Sequence, residues 1–189
     1  MTAILSLLFL LGGELFTVDA SAETSYDVEI NREALKGYVD DIGLFKRHMP
    51  GVVSVDPLGG DRYLYVTEKE LPLAGSMRTE FLIQKFVYGD SVWVYRSANL
   101  DAHNYMYCRV RITPAGETNT VIAIALRVRL SREDASEVHW MAPILGAEFI
   151  NDQMTRDLVD MLAVFVEKSN EELYSQIVPS TAAQNKGGR

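Results

Sequence analysis

A chain of 189 residues has the length of one domain and can bury a sizeable core. With 48% hydrophobic and 23% charged residues it is not largely disordered, and its net charge of −8 argues against nucleic acid as a partner. A single cysteine, Cys108, excludes an intrachain disulfide, and its strand-like neighbours mark it as a small buried hydrophobe.

The chain opens on MTAILSLLFLL, uncharged and apolar, and GGELFTVDASA then closes on Ala20-Ser21-Ala22, just before Glu23. Signal peptidase reads small residues at those two positions. Residues 1–22 are therefore expected to be a secretory leader, with the protein exported to a bacterial periplasm or to the outside. The apolar run from Ala3 to Leu11 is too short to cross a bilayer as a helix. The competing expectation is an N-terminal helix or strand that stays in the domain.

SYDVEI alternates Tyr26, Val28 and Ile30 with polar residues and reads as a first strand. Asn31 then caps a helix over REALKGYVDD, with Leu35, Tyr38 and Val39 on one face. A second short helix over Ile42–Met49 is stopped by Pro50-Gly51. From Val52 the apolar period falls from 3.6 to 2. Strands are expected at Val52–Leu58, Arg62–Lys69, Met77–Phe86, Ser91–Ala98, Asn104–Thr113 and Thr120–Leu130, each joined to the next by a short turn. Six such strands without crossover helices form an antiparallel meander and exclude a parallel doubly wound sheet. After Pro143 to Gly146, Ile150, Met154, Leu158, Met161, Leu162 and Phe165 recur at three- and four-residue steps. That amphipathic helix needs a partner for its apolar face, and only the sheet is large enough. From Ser175 the composition is small, polar and unpatterned, so residues 175–189 are expected to be a flexible tail and residues 23–174 the folded domain.

The order strand, two short helices, six strands and long helix resembles the helix-grip fold of the START-related superfamily, in the branch of polyketide cyclase/dehydrase and coenzyme-Q-binding lipid-transport proteins. Two segments carry the resemblance, NREALKGYVDDIGLFKRHMPGVVSV and APILGAEFINDQMTRDLVDMLAVF, and it extends over about residues 24–174. It implies an α+β fold in which a curved antiparallel sheet of about seven strands wraps the C-terminal helix. It also implies a cavity for a hydrophobic small molecule, lipid or quinone-like. A secretory leader is unusual for the cyclases and none of their catalytic patterns is present, so no catalytic residue is carried over. The alternative is a cyclase/dehydratase-type enzyme in the same cavity, which an inward-facing Arg96, Glu80 or His103 would favour.

Alternation sorts the strands into faces. Met106, Cys108, Val110 and Ile112 fall on one side of their strand, and Ile122, Ile124, Leu126, Val128 and Leu130 on one side of the next. With Phe81, Ile83, Trp93 and Tyr95 they should form the concave face. Phe45 and Met49 from the second helix and Ile150, Met154 and Leu158 from the long helix should meet them, while Trp140 and Met141 are candidate lid residues. These residue types suit a greasy pocket, but packed interiors use the same residues at the same spacing. A solid core with a partner-binding sheet surface is the third reading. Arg109, Arg111, Arg127 and Arg129, with Tyr105 and Tyr107 beside the latter pair, form an outer patch: either a solvated face or a docking site for anionic headgroups or an acidic partner. His48, His103 and His139 are far apart without metal-ligand spacing, Asp101-Ala102-His103 reads as a turn, and Gly59-Gly60 lacks the context of a phosphate loop. No metal or cofactor is expected.

Overall fold

The computed structural model describes residues 15–71 and 75–184. Its elements are β1 (Phe16–Val28), α1 (Arg32–Asp40), α2 (Gly43–His48), β2 (Val52–Gly59), β3 (Arg62–Leu71), β4 (Gly75–Tyr88), β5 (Val92–Ser97), β6 (Asn104–Pro114), β7 (Thr120–Arg132) and α3 (Ala142–Gln184). One antiparallel sheet holds all seven strands in the order β1-β7-β6-β5-β4-β3-β2. The six-strand meander thus runs as its turns dictate, and β7 closes by pairing with β1. This is the expected α+β helix-grip architecture, a sheet with a long C-terminal helix on one face.

Local chemistry sets the start of the chain path. Asn31 caps α1 by accepting from the Ala34 amide at 3.0 Å. Met49, extended ahead of Pro50, ends α2, and Gly51 turns the backbone with a φ of +77°. The Gly51 carbonyl accepts from the Glu68 amide at 2.8 Å, so the turn delivers the chain to the edge of β3 as β2 begins. A Cβ at Gly51 would stand 3.1 Å from the Glu68 carbonyl oxygen. Two register shifts interrupt the β2–β3 ladder, between Val52 and Ser54 and between Pro57 and Gly59.

β1 departs from the sequence reading. It begins at Phe16, not at Ser25, and its thirteen rungs with β7 include Ala20 opposite Val128, Ser21 opposite Arg127 and Ala22 opposite Leu126. The small residues expected at a cleavage site are therefore strand residues, and a cut after Ala22 would remove Phe16–Ala22 from the sheet. The apolar run Ala3–Leu11 lies outside the described residues. Inward positions on this strand run from Phe16 to Val28, and between the larger ends Val18, Ala20, Ala22 and Thr24 are too small to give a strong alternating signal; their size is what α3 uses. The helix settles closely on β1, and Asn151 of α3 accepts from the Asp19 amide on the strand's open edge at 2.7 Å.

Farther along, α3 is fixed by polar groups. The Tyr38 and Tyr26 hydroxyls meet the buried Ser169 hydroxyl at 2.7 and 3.2 Å, and His48 pairs with Glu172. Burial pushes the Tyr26 hydroxyl up to about 12. The helix continues to Gln184, past Ser175, where the sequence suggested an unpatterned tail. Between helix and sheet, Phe45 is the hub of an aromatic core: its ring centroid lies 5.1 Å from Tyr95, 6.2 Å from Phe165 and 6.3 Å from Tyr65.

Replacing Gly51 by Val should cost about 1–3 kcal/mol, because a β-branched residue is strained at positive φ and its Cβ crowds the Glu68 carbonyl. Urea unfolding measures this, and a wild-type midpoint would contradict it. Cys108 supplies a second check, since burial pushes its thiol from 9.0 up to about 12. The fold holds the neutral thiol, so the associated stability is complete below pH 9 and is lost as pH rises from about 9 towards 12. Iodoacetamide at pH 8 should label Cys108 only in denaturant. Rapid labelling of the native protein would show the thiol to be accessible.

Candidate ligand cavity

Seated on β1, α3 stands away from β3 and β4, and a cavity of about 470 Å³ remains between them. Met77 and Phe81 of β4, Met106 of β6 and Leu126 of β7 form its floor; Ile150, Met154, Leu158 and Met161 of α3 form its roof. Met154 and Met161 are only partly buried despite lying on the apolar stripe, because they face this space. Polar groups inside are few. Tyr65, with Thr67 and Thr79 nearby, lies on the wall shared with the aromatic core. Its hydroxyl donates towards the Met49 sulfur at 3.6 Å, and burial drives it far above the usual tyrosine range, so it stays protonated. Charged side chains reach the opening where β3 faces the middle of α3: Lys69 of β3 pairs there with Asp157 of α3, with Asp160 beside it, whereas Glu68 and Glu70 alternate to the outer face of β3, where Glu68 accepts from the Ser76 hydroxyl at 2.6 Å. The mouth thus carries two carboxylates against one ammonium.

Phe81, Met106, Leu126, Ile150, Met154 and Leu158, all expected from the sequence, line the cavity. Phe45, Met49, Ile83, Trp93, Tyr95, Cys108 and Ile124 do not; they are buried in the filled half of the interior. The cause is the depth to which α2 inserts Phe45, whose ring occupies the room that alternation alone left open. Trp93 is anchored there as well, its indole donating to Asp40 at 2.9 Å. Trp140 and Met141 are not lining residues either. Trp140 is exposed and stacks on His139, which does line the cavity together with Val138. The residues missed were chiefly Tyr65, Thr67, Met77 and Thr79. Tyr65 opposite Phe81 and Thr67 opposite Thr79 share the inward face in the β3–β4 register. Alternation along β3 carried that signal, but its inward set mixes aromatic and polar residues.

Other candidate groups lie elsewhere. Arg96 stacks over Phe86 at 4.8 Å on the convex face, Glu80 is exposed beside Arg78, and Asp101 and His103 sit in an exposed turn. None of these lines the cavity. On the convex face Arg127 forms a two-pronged pair with Asp19 at 2.8 and 2.5 Å, and Arg129 lies over Tyr105 at 5.2 Å and donates to the Leu100 carbonyl. The Arg127 guanidinium holds the Asp19 carboxyl below its usual range. Among the described residues no cluster of His, Cys, Asp and Glu has a geometry that could hold a metal ion.

No family model matches the chain, and no curated protein does. Solved structures do match. A START superfamily protein from Mycobacterium smegmatis superposes with a TM-score of 0.56 at 16% identity, over 81% of this chain and 98% of that one. A protein from Deinococcus radiodurans gives 0.53 at 17% identity, over 81% and 98%. An aromatase/cyclase from a Streptomyces species gives 0.52 at 12% identity, over 84% and 93%. At such identities the likeness concerns backbone arrangement. With seven antiparallel strands wrapped on a terminal helix, the chain has a START-like helix-grip fold.

Proposed function

We propose that the protein binds and carries a neutral hydrophobic small molecule in the cavity between the sheet and α3. The observation that supports this is the 470 Å³ space, walled by apolar side chains from both layers and opening at a charged mouth. Its volume is that of small-molecule pockets, about 300–1,000 Å³. Each 100 Å² of ligand apolar surface taken from water contributes about 2.5 kcal/mol, enough for useful affinity without any directed bond. The charge at the mouth narrows the class. With Asp160 there beside the paired Lys69 and Asp157, a free fatty acid meets a net negative charge, whereas a quinone, alcohol or isoprenoid is not opposed by it. The residues expected to serve a cyclase, Arg96, Glu80 and His103, lie outside the lining, which supports carriage; a cyclase in the same space would have to use His139, Asp157 or Asp160 as its acid or base.

Solvent extraction of the purified protein, followed by mass spectrometry, should yield a neutral lipophilic compound. Leu126→Trp and Met106→Trp fill the floor and should each reduce its occupancy roughly tenfold or more while the protein stays folded. Unchanged occupancy in both variants would place the ligand elsewhere, and recovery of a chemically altered polyketide-like substrate would favour the cyclase reading.

Export is proposed from the apolar leader, and β1 restricts where that leader can end. Loss of Phe16–Ala22 would strip the buried Val18 and Ala20 from the seat of α3. The intact mass of exported protein should therefore correspond to a chain that begins at or before Phe16. A folded exported form beginning at Glu23 would show that the first half of β1 is dispensable.

A further inference from the structure

Four large apolar side chains stand in the open at the junction between β7 and α3: Ile144 is 77% exposed, Phe149 45%, Trp140 43% and Leu145 37%. Residues 138–147 contain no Asp, Glu, Lys or Arg. The segment has a defined shape. Ala142 donates to the His139 carbonyl at 2.8 Å, and Ile144 and Leu145 both donate to the Met141 carbonyl at 3.0 and 2.9 Å. This makes one tight helical turn. Gly146, at φ 77° and ψ 169°, then breaks the helix and sends the remainder of α3 off in a new direction. The turn is left as an exposed apolar wedge.

We infer that this wedge, with Trp140, Ile144, Leu145 and Phe149 at its surface, is a docking surface for the zwitterionic face of a lipid bilayer. The inference rests on the carrier reading for its purpose but is measured independently of it. Three observations select a bilayer over other occupants. The four side chains leave about 400 Å² of apolar surface open, roughly half of the 800 Å² per partner that a stable dimer buries. The flanks are acidic, with exposed Glu133, Asp134 and Glu137 on one side and Glu148 and Asp152 on the other, so an anionic membrane is repelled and an uncharged interface is not. A tryptophan beside aliphatic side chains is also the composition that settles at the boundary of headgroups and acyl chains.

The wedge is continuous with the cavity. Trp140 stacks on His139, a lining residue, with ring centroids 6.2 Å apart. Ile150 lies in the roof next to Phe149, and Gln153, also in the lining, is about 6 Å farther along the helix. A bilayer that receives the wedge lies within a few turns of helix from the mouth, so a neutral ligand can pass between the two with little exposure to water.

The test uses the full chain and phosphatidylcholine vesicles. Wild-type protein should co-sediment with them, and its tryptophan emission should move to shorter wavelength. That shift should vanish in Trp140→Phe, since Trp93 is already buried. Ile144→Glu combined with Phe149→Glu should weaken vesicle binding roughly tenfold or more with an unchanged circular dichroism spectrum. Ile144→Ser alone should move binding in the same direction. Leu126→Trp, which fills the cavity, should leave vesicle binding intact, so a failure of the ligand reading and a failure of the docking reading give different results. The inference is overturned if the double variant binds as well as wild type. It is overturned too if binding requires phosphatidylglycerol and disappears in salt, or if sedimentation equilibrium shows a wild-type dimer that Ile144→Glu combined with Phe149→Glu dissociates.

Discussion

The resting of α3 on β1 governs the rest of this molecule. Small inward residues on one strand, Val18, Ala20, Ala22 and Thr24, let the helix come down on the β1 side of the curved sheet, and Asn151 fixes it to the strand's open edge. A straight helix held close to one flank of a curved surface must diverge from the other. Over β3 and β4 the gap is too wide for side chains to close, and a cavity follows from geometry. Larger residues on β1 would level the helix and reduce that gap. The closed half of the interior is closed by α2, whose Phe45 reaches into the space beneath the sheet.

Much of the architecture could be read in the residues. The change of period at Val52, the stop at Pro50-Gly51 and the three- and four-residue stripe on α3 are local signals, and the elements formed as those signals indicate. β1 was half hidden because its inward side chains were chosen for closeness to a helix, a tertiary requirement that weakens the alternation. The cavity was harder to place. Period 2 tells which side of a strand faces inward, not whether the inward space is filled, so Ile83, Tyr95 and Cys108 were as eligible as Phe81 and Leu126. Only the path of α2 and the tilt of α3 separate the two sets. The charged mouth has no sequence period, because β3 and α3 contribute its residues from opposite layers.

Electrostatics divides the surface by task. The convex sheet carries Arg96, Arg109, Arg111, Arg127 and Arg129, yet Arg127 is committed to Asp19 and Arg129 to Leu100 and Tyr105. This face mainly stitches β1 to β7 and dresses the outer surface. The mouth is acidic and the wedge is uncharged, which together suit a cargo and an interface that are themselves neutral.

The two rims of the sheet have a further consequence. At the β2 rim, Pro57 has no amide hydrogen to offer, Asp56 adds charge, and the ladder is broken by two register shifts. At the β1 rim, Asn151 already occupies the Asp19 amide. Each rim is thus interrupted where another copy's strand would have to continue the ladder, which blunts both edges against edge-to-edge pairing.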